Sequence, residues 1–423
     1  MSNKYRQAEL VSASTLYTVH RFRNEFGMTL RNELFGQPPF FMVEYENYNF
    51  AKCKSFSNAN PVPFNSSLWK QKRFSDIKIN MSDKTVLTGL TPEEISTRFQ
   101  LKPSFRAKQI YEWIAKGVES FDEMTNIDKA TREKLSESAL LRSSSVSEVL
   151  KDPDGTIKLQ ITLHDGRAIE TVLLTDKEGR KTACVSCQAG CAMKCAFCQT
   201  GQLGLGRNLT PGEIVEEFLN MEKEAGKLDN IVFMGMGEPF QNLDSIKKAV
   251  SILTDPKGRA LSSRRITLST CGLVKGIYEL ANNGPKMRLA VSLTTADEEL
   301  RKELMPVTAG NPLSELKKAI AYFIEKTGKR VTLEAALLSG KNTGRESADR
   351  LIAFAKGLDV YINLIPWNPV PGLDFTTPSA DEVKSFVKML EQANLNVNLR
   401  TRRCEKIGGA CGQLGRSQTL QET

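Results

Sequence analysis

Three cysteines stand close together in the middle of the 423-residue chain, at Cys191, Cys195 and Cys198. Their C-x3-C-x2-C spacing lets a tight loop turn three sulfurs toward one centre, and thiolates suit zinc or an iron–sulfur cluster. A structural zinc site needs a fourth ligand, for which Cys187 is the candidate. A [4Fe–4S] cluster on three cysteines leaves one iron open to another ligand, which favours chemistry here.

A second pattern lies about forty residues further on, in Met234-Gly-Met-Gly-Glu-Pro239. Glycines after an apolar strand let a ligand approach the backbone closely, and Glu238 offers a carboxylate to a cationic amine. A Gly-Pro turn with a solvated glutamate would look the same, so the pattern gains its weight from the cysteine loop before it. The chain has two histidines, His20 and His164, so acid–base work falls to a carboxylate or a cofactor.

The cysteine loop, with an aromatic residue before its last cysteine, resembles the radical S-adenosylmethionine (radical SAM) superfamily. Its wider context, Cys-Val-Ser-x-Gln-x-Gly-Cys-x-x-x-Cys-x-Phe-Cys-x-Thr-Gly from Cys184 to Gly201, is similar to the RlmN/Cfr family. Those enzymes methylate adenine in large-subunit ribosomal RNA. The resemblance runs from about Met81 to about Arg416 and so covers most of the chain.

The resemblance implies one [4Fe–4S] cluster on Cys191, Cys195 and Cys198, whose open iron binds S-adenosylmethionine, with two such molecules used per turnover. It also implies that Gly237 and Glu238 contact the amino group of this cofactor. The further implied contacts follow later strands and are Ser269, Ser292, Leu293, Thr294 and Asn368. Relatives usually have histidine where this chain has Thr294, which leaves that one side-chain contact open.

Two more cysteines acquire roles from the resemblance. Cys411, in Ala-Cys-Gly-Gln-Leu, matches the methyl-carrying cysteine of the family, and Cys184 matches its partner. The implied order is methyl transfer to Cys411, hydrogen abstraction from that methyl by a 5′-deoxyadenosyl radical, and addition to adenine. Glu170 is the implied proton acceptor, and Cys184 frees the product by forming a disulfide with Cys411. Cys53, Cys187, Cys271 and Cys404 have no such match, and we assign them structural roles.

Alternating βα units must position these residues and predict an α/β fold with a parallel sheet. Six units rather than eight indicate an incomplete barrel over residues 177–404, with its site at the C-terminal strand ends. This matches the partial (β/α)6 barrel that the resemblance implies, followed by a tail at 405–423. The predicted strands are Thr182–Ser186, Ile231–Met234, Arg265–Ser269, Arg288–Leu293, Val331–Leu338 and Tyr361–Pro366, and the clearest helices are Pro211–Glu224, Ser245–Leu253 and Pro312–Lys326.

Three segments precede the predicted barrel. Residues 151–176 read as a β-hairpin linker, with strands Ile157–Leu163 and Ala168–Leu174. Residues 81–150 predict a small module of three helices, which the resemblance implies touches RNA, although a plain packing module fits the residues equally well. Residues 1–80 are rich in aromatics but lack any period. We interpret them as a leader that is disordered or not native, with an added recognition module as the alternative.

Composition adds little about partners. The net charge of +9 invites a nucleic-acid interpretation, but residues 1–80 hold eleven basic and six acidic residues, so +5 of it lies there. No apolar run reaches membrane-spanning length, no signal peptide is visible, and cysteines at metal-like spacing suit a reducing cytoplasm. The implied partners are 23S rRNA, tRNA as a further candidate, and an electron donor such as a flavodoxin or ferredoxin; we expect a monomer without a membrane partner.

The preferred hypothesis is a radical SAM methyltransferase acting at C2 of an adenine in 23S rRNA. A close rival is methylation of C8 of the same adenine, the Cfr-type reaction that confers antibiotic resistance, which shares every motif above. A third hypothesis is a non-catalytic RNA-binding protein stabilised by zinc on Cys187, Cys191, Cys195 and Cys198. That hypothesis leaves Cys184, Cys411 and the Gly237–Glu238 pair without a role.

Overall fold

The structure is a computed structural model that describes residues 29–33, 40–44, 84–402, 404 and 406–415. In the unit Met1–Lys78, β1 (Thr29–Glu33) and β2 (Phe40–Glu44) pair antiparallel. Most of this unit lies outside the described residues. The interpretation of residues 1–80 as a leader therefore stays a prediction.

A helical module opens the second unit, which runs from Ile79 to Thr423. Its helices are α1 (Pro92–Phe99), α2 (Phe105–Ala115) and α3 (Lys129–Ser138), and a short parallel pair, β3 (Thr85–Val86) and β4 (Ala139–Leu140), flanks them. Thr91 and Glu94 cap α1 reciprocally, since the Thr91 hydroxyl accepts from the Glu94 amide and the Glu94 carboxylate accepts from the Thr91 amide. The three predicted helices are confirmed.

Three antiparallel strands follow the module. They are β5 (Ser145–Lys151), β6 (Ile157–Thr162) and β7 (Ala168–Thr175). The hairpin of β6 and β7 was predicted, but β5 was not. A bulge between Val146 and Glu148 shifts the phase of β5, and nearly all of its residues are exposed, so the strand shows no clean alternation.

Seven parallel strands continue the sheet. They are β8 (Lys181–Cys184), β11 (Asn230–Phe233), β12 (Ile266–Thr270), β13 (Arg288–Ser292), β14 (Val331–Leu337), β15 (Val360–Pro366) and β16 (Val397–Leu399). A separate two-stranded sheet joins β9 (Gln188–Gly190) and β10 (Leu205–Asn208). The six predicted strands are confirmed. β16 is a seventh strand, which was not predicted because three residues are too few to show a strand pattern.

The main sheet has the order β16-β15-β14-β13-β12-β11-β8-β7-β6-β5. Its antiparallel strands thus extend the same sheet that the parallel strands form, because β7 pairs directly with β8. The predicted divisions at residues 150, 176 and 404 stay predictions within one compact unit. Across the described residues, no helix combines the length and the apolar content needed to cross a bilayer.

Helices connect the parallel strands as expected for repeated βα units. They are the short α4 (Gln199–Gln202), then α5 (Pro211–Ala225), α6 (Leu243–Thr254), α7 (Val274–Asn283), α8 (Glu298–Leu304), α9 (Leu313–Thr327), α10 (Arg345–Ala355) and α11 (Ala380–Gln392). One hydrophobic core runs from the helical module through the barrel, so the two pack as one body.

A buried carboxylate fastens the helical module to the barrel. Glu216 of α5 is fully buried and accepts hydrogen bonds from the Thr88 hydroxyl at 2.6 Å and from the Ser143 and Ser144 amides at 2.9 and 2.8 Å. Burial raises the pKa of Glu216, and these hydrogen bonds oppose that rise. The carboxylate therefore satisfies donors from both ends of the module.

We expect Glu216→Gln to lower the free energy of unfolding by about 2–4 kcal/mol, because an amide nitrogen would meet donors that need an acceptor. Chemical denaturation of the full chain measures this. The matched control is Glu224→Gln on the same helix, whose carboxylate makes one long ion pair with Lys151 at 3.7 Å and should change stability by less than about 0.5 kcal/mol. Equal losses in both variants would contradict the fastening role.

Candidate active site

The C-terminal ends of the parallel strands open into a cavity of about 1020 Å³, its mouth included. The three predicted cluster cysteines all line it. So do six of the seven predicted cofactor residues, which are Gly237, Glu238, Ser269, Ser292, Thr294 and Asn368. The chain thus brings together side chains as far apart in sequence as Cys191 and Cys411, at the strand edge where parallel βα sheets carry their sites.

The cysteine loop is held against an apolar wall. The indole nitrogen of Trp367 donates to the Phe197 carbonyl at 3.0 Å, and the Ala196 amide donates to the Leu304 carbonyl at 2.9 Å. Met193, Cys195 and Phe197 pack onto a small hydrophobic cluster that includes Trp367 and Leu304. This wall keeps water from one side of the loop, which strengthens electrostatic interactions at the thiols.

The donor set of this loop fits an iron–sulfur cluster. Burial raises the pKa of the Cys191 thiol to about 12, and the charges of Cys198 and Glu238 add to the rise. Free thiols would stay protonated here, whereas a metal cation deprotonates them. In the described part of the chain, no three potential ligands stand close enough to hold a single metal ion. A cluster binds each cysteine through a different iron, so it needs ligands that stand farther apart.

Cys187, the fourth ligand of the zinc hypothesis, lies elsewhere. It is not among the residues that line the cavity, and its thiol belongs to the main hydrophobic core. Its amide donates to the Met236 carbonyl at 2.8 Å and its carbonyl accepts from the Leu209 amide at 3.0 Å. The structural role that the sequence assigned to Cys187 agrees with this position.

Glu238 is fixed in place in the loop that follows β11. Its carboxylate accepts from the Thr270 hydroxyl and the Cys271 amide, both at 2.8 Å, and from the Phe240 amide at 3.1 Å. Gly237 precedes it with φ of +104°, and a Cβ there would lie 2.6 Å from the Gln188 side chain, so no other residue fits. The carboxylate is therefore oriented into the cavity before any ligand arrives.

We expect Glu238→Gln to weaken S-adenosylmethionine binding by about ten- to a hundredfold, because a charged hydrogen bond to an amine contributes roughly 1.5–3 kcal/mol. Anaerobic equilibrium dialysis of reconstituted protein measures the dissociation constant. Glu279→Gln is the control, since the Glu279 carboxylate on α7 pairs with Lys247 outside the cavity. Unchanged affinity in a folded Glu238→Gln protein would remove this residue from the cofactor site.

Asn368 carries a second sign of a ligand site. Its side-chain nitrogen donates to the Cys411 carbonyl at 3.3 Å, but its buried side-chain oxygen has no hydrogen-bond partner in the structure. An unsatisfied buried acceptor costs free energy until a donor arrives. A cofactor hydroxyl or amine at this position would supply the donor, so the site fits S-adenosylmethionine as well as the cluster.

Two of the predicted contacts, Thr294 and Leu293, differ in their position relative to the cavity. Thr294 lines the cavity in a left-handed conformation, with φ of +61°, and its amide donates to the Glu334 carbonyl at 3.0 Å. Leu293 does not line the cavity, since its side chain lies in the main core. Its carbonyl instead accepts from the Arg301 guanidinium at 3.0 Å.

Sequence reasoning missed Arg301, which organises the strand ends. Its side chain is fully buried, and besides Leu293 it donates to the carbonyls of Cys271 at 2.7 Å and Ser292 at 3.2 Å. Burial lowers the pKa of this guanidinium. On an amphipathic helix an arginine reads as exposed, so no local signal points to this role. Glu334, a lone acid in the apolar strand β14, was the more detectable omission; it lines the cavity.

A second cavity adjoins the first and contains the two redox candidates. Cys184, at the end of β8, and Cys411, on the C-terminal loop, both line it, while Cys411 and Asn368 also line the first cavity. Burial raises the pKa of the Cys184 thiol, as does the charge of Cys411, whereas Arg400 opposes the rise. Cys411 therefore stands between the predicted cofactor site and its predicted partner thiol.

The loop that carries Cys411 is fastened along its length. The Gln199 amide donates to the Gly412 carbonyl and the Thr200 hydroxyl to the Leu414 carbonyl, both at 2.7 Å. Gln413 donates to the Pro369 carbonyl at 2.8 Å. Because α4 follows directly on Cys198, these bonds tie the loop to the segment that bears the cluster cysteines.

Glu170, on β7, lines neither cavity. Its carboxylate is buried and pairs with the Lys158 ammonium at 3.2 Å and with the Gly415 amide at 2.7 Å. Lys158 also donates to the Gly408 carbonyl at 3.3 Å. In this conformation, Glu170 and Lys158 together hold both ends of the Cys411 loop.

Comparisons with known proteins agree with this geometry. A family model described as the radical SAM superfamily matches residues 185–352, and one described as the ribosomal RNA large subunit methyltransferase N-terminal domain matches residues 87–141. A Treponema denticola protein named "Probable dual-specificity RNA methyltransferase RlmN" is 63% identical over 332 residues, covering 78% of this chain and 96% of that protein. This chain belongs to the RlmN family of radical SAM RNA methyltransferases.

More distant relatives give the same result. A protein of the same name from Moorella thermoacetica is 44% identical over 350 residues, covering 79% of this chain and 98% of that protein. The crystal structure of a radical SAM methyltransferase from Sphaerobacter thermophilus matches with a TM-score of 0.76 and 39% identity, covering 78% of this chain and 99% of the other. The α/β radical SAM fold is thereby confirmed. Members of this superfamily use a [4Fe–4S] cluster and S-adenosylmethionine, so both predicted cofactors are confirmed.

Proposed function

We propose that this RlmN-family protein places a methyl group on C2 of an adenine in 23S rRNA, with tRNA as a second substrate. The observation that carries the proposal is the position of Cys411, which lines both the cavity of the cluster cysteines and the cavity of Cys184. A residue that receives a methyl on one side and meets a second thiol on the other needs this position. The curated relatives, named dual-specificity RNA methyltransferases, support two RNA substrates.

The cofactors, when bound at Cys191, Cys195, Cys198 and Glu238, supply the methyl group and the reductive generation of a radical. The protein supplies the rest. Cys411 carries the methyl group as an S-methylcysteine, and after the carbon has joined adenine the substrate is covalently attached to this sulfur. C2 of adenine is electrophilic, so a methyl cation finds no nucleophile there, whereas a carbon radical adds to it.

Release of the product then depends on Cys184. Its thiolate attacks the Cys411 sulfur, the carbon–sulfur bond to the product breaks, and a disulfide forms. The electron pair of the broken bond stays with the methylene carbon, which takes up a proton and becomes the methyl group. Glu170 removes the proton from C2, and the unpaired electron that the radical addition leaves on the adduct would pass to the cluster held by Cys191, Cys195 and Cys198. Since Glu170 holds the Gly415 amide in this structure, that step requires the Cys411 loop to leave its position.

The remaining partners of the proposal follow from the chemistry. A flavodoxin or ferredoxin supplies the electron, and the disulfide is reduced before the next cycle. We propose a monomer that works in the cytoplasm, where 23S rRNA is made and where thiols are kept reduced. The helical module at residues 81–150 is the proposed RNA contact, because its residues 87–141 match the family model of the ribosomal RNA large subunit methyltransferase N-terminal domain.

Nucleoside mass spectrometry tests the proposal. Reconstituted protein, S-adenosylmethionine and a reductant are incubated with a 23S rRNA fragment or with tRNA, and the digests are compared with synthetic 2-methyladenosine and 8-methyladenosine. We expect 2-methyladenosine from both RNAs, and none with the Cys411→Ala variant. Exclusive 8-methyladenosine would overturn the C2 assignment in favour of the resistance-conferring reaction, and product from rRNA alone would remove tRNA.

A further inference from the structure

The C-terminal segment places a third thiol beside the two redox candidates. Cys404, which sequence reasoning assigned a structural role, is 1% exposed and lines the second cavity together with Cys184 and Cys411. Nothing in the sequence marks it, because Cys404 belongs to no recognised motif. Its position follows from the turn that the chain makes between Arg400 and Cys411.

That turn brings Cys404 close to the Cys411 loop. Cys404 has a left-handed backbone, with φ of +63°, and its carbonyl accepts a hydrogen bond from the Gly409 amide at 3.4 Å. A Cβ on Gly409 would lie 3.3 Å from the Cβ of Cys404, so Gly409 packs directly against the Cys404 side chain. Cys411 comes two residues after Gly409, which keeps the two sulfurs of the segment in one neighbourhood.

Electrostatics links all three thiols to one cation. Arg400 is partly buried, and the charges of Cys411, Glu334, Cys184 and Cys404 raise the pKa of its guanidinium against the effect of burial. Arg400 in turn opposes the rise in the pKa of the Cys184 thiol, so a positive charge is available to a thiolate in this cavity. Thiol–disulfide exchange needs such a thiolate and a nearby sulfur to attack.

The charge of Cys411 affects the pKa values of both Cys404 and Cys184. Burial raises the pKa of the Cys404 thiol to about 11, with added contributions from the charges of Asp154 and Cys411. Burial and the charge of Cys411 likewise raise the pKa of the Cys184 thiol. Cys411 thus has two neighbouring thiols, Cys184 and Cys404, which line the same cavity.

We propose that Cys404 is a second resolving thiol, which attacks the Cys411 sulfur when Cys184 is absent or already oxidised. In product release, its thiolate forms a Cys404–Cys411 disulfide while the electron pair of the carbon–sulfur bond leaves with the product carbon. In exchange, it attacks a Cys184–Cys411 disulfide at Cys411 and releases Cys184 as a thiolate, so no external oxidant or reductant is consumed. The first of these steps rests on the proposed function; the pairing of Cys404 with Cys411 does not.

The decisive experiment needs no catalysis. Full-length reconstituted Cys184→Ala protein is treated with oxidised glutathione, the remaining thiols are blocked, and non-reduced digests are mapped by mass spectrometry. We expect a Cys404–Cys411 disulfide, whereas in Cys184→Ala/Cys404→Ala protein Cys411 should carry glutathione. Finding Cys411 joined only to glutathione in the single variant, with Cys404 as a blocked free thiol, overturns the proposal.

A second arm follows the covalent protein–RNA adduct of the Cys184→Ala variant. With Cys404 present, the adduct should decay about tenfold faster than in Cys184→Ala/Cys404→Ala protein, and a Cys404–Cys411 disulfide should appear as it decays. Cys184→Ala/Cys187→Ala is the matched control, because Cys187 is buried but lines neither cavity. Equal decay in all three proteins overturns the resolving role. Absence of any adduct contradicts the proposed function instead, and leaves the glutathione result to decide the pairing.

Discussion

Cys184→Ala protein should accumulate a covalent adduct with its RNA substrate, and Cys411→Ala protein should form none. Without Cys411 no methyl can be loaded, so methylation falls to background and RNA is never attached. Without Cys184 the methyl is loaded and adenine is captured, but the main resolving thiolate is missing and only the slower attack proposed for Cys404 remains, so turnover falls on the order of a hundredfold. A denaturing gel should show the adduct as a nuclease-sensitive shift of the protein band.

The comparison has an internal control in Cys187→Ala, which removes a buried thiol that lines neither cavity and should leave adduct formation and turnover unchanged. The roles of the two cysteines would be refuted by the same shifted band from Cys411→Ala protein. Full turnover by Cys184→Ala/Cys404→Ala protein would refute the need for any resolving thiol on this chain.

Alanine at Cys191, Cys195 or Cys198 should remove iron and radical chemistry together. Each of these sulfurs holds one iron, so iron in reconstituted protein should fall from about four atoms per chain toward zero. Cleavage of S-adenosylmethionine to 5′-deoxyadenosine should fall with it to background. Iron analysis, absorption near 400 nm and chromatography of the nucleoside products measure the three quantities.

Cys187→Ala again separates the hypotheses. A zinc site on four cysteines would lose its metal in this variant as well, whereas a cluster on three cysteines keeps its iron. Undiminished 5′-deoxyadenosine formation in any of the three loop variants would refute the cluster assignment, whatever the result for Cys187.

The parts of the site that sequence could predict are those that a local pattern encodes. The cysteine loop and the Gly237–Glu238 turn can each be recognised from a pattern of a few residues. Parallel strands bring their C-terminal ends to one edge of the sheet regardless of the lengths of the loops between them. The resemblance implied that Ser269 and Asn368 act with Glu238, and their positions after parallel strands agree with this; in the structure all three line the same cavity.

The parts that could not be predicted depend on contacts between distant segments. Arg301 donates hydrogen bonds to carbonyls at the ends of two strands, and nothing in the sequence of its own helix indicates this. Arg400 matters because its charge interacts with those of three cysteines. Cys404 was assigned a structural role, since only the turn to Gly409 brings it to Cys411. Glu170 was identified through the family resemblance, but its hydrogen bond to the Gly415 amide of the Cys411 loop depends on the tertiary structure.

The order of the sheet has a consequence for the behaviour of the protein at high concentration. In the described part of the chain the sheet ends at β5 and β16, and open strand edges are templates for pairing with another chain. Neither edge is a good template, since β16 has three residues and β5 carries a bulge together with the exposed charges of Glu148 and Lys151. An incomplete barrel can thus remain open without promoting aggregation through its edges.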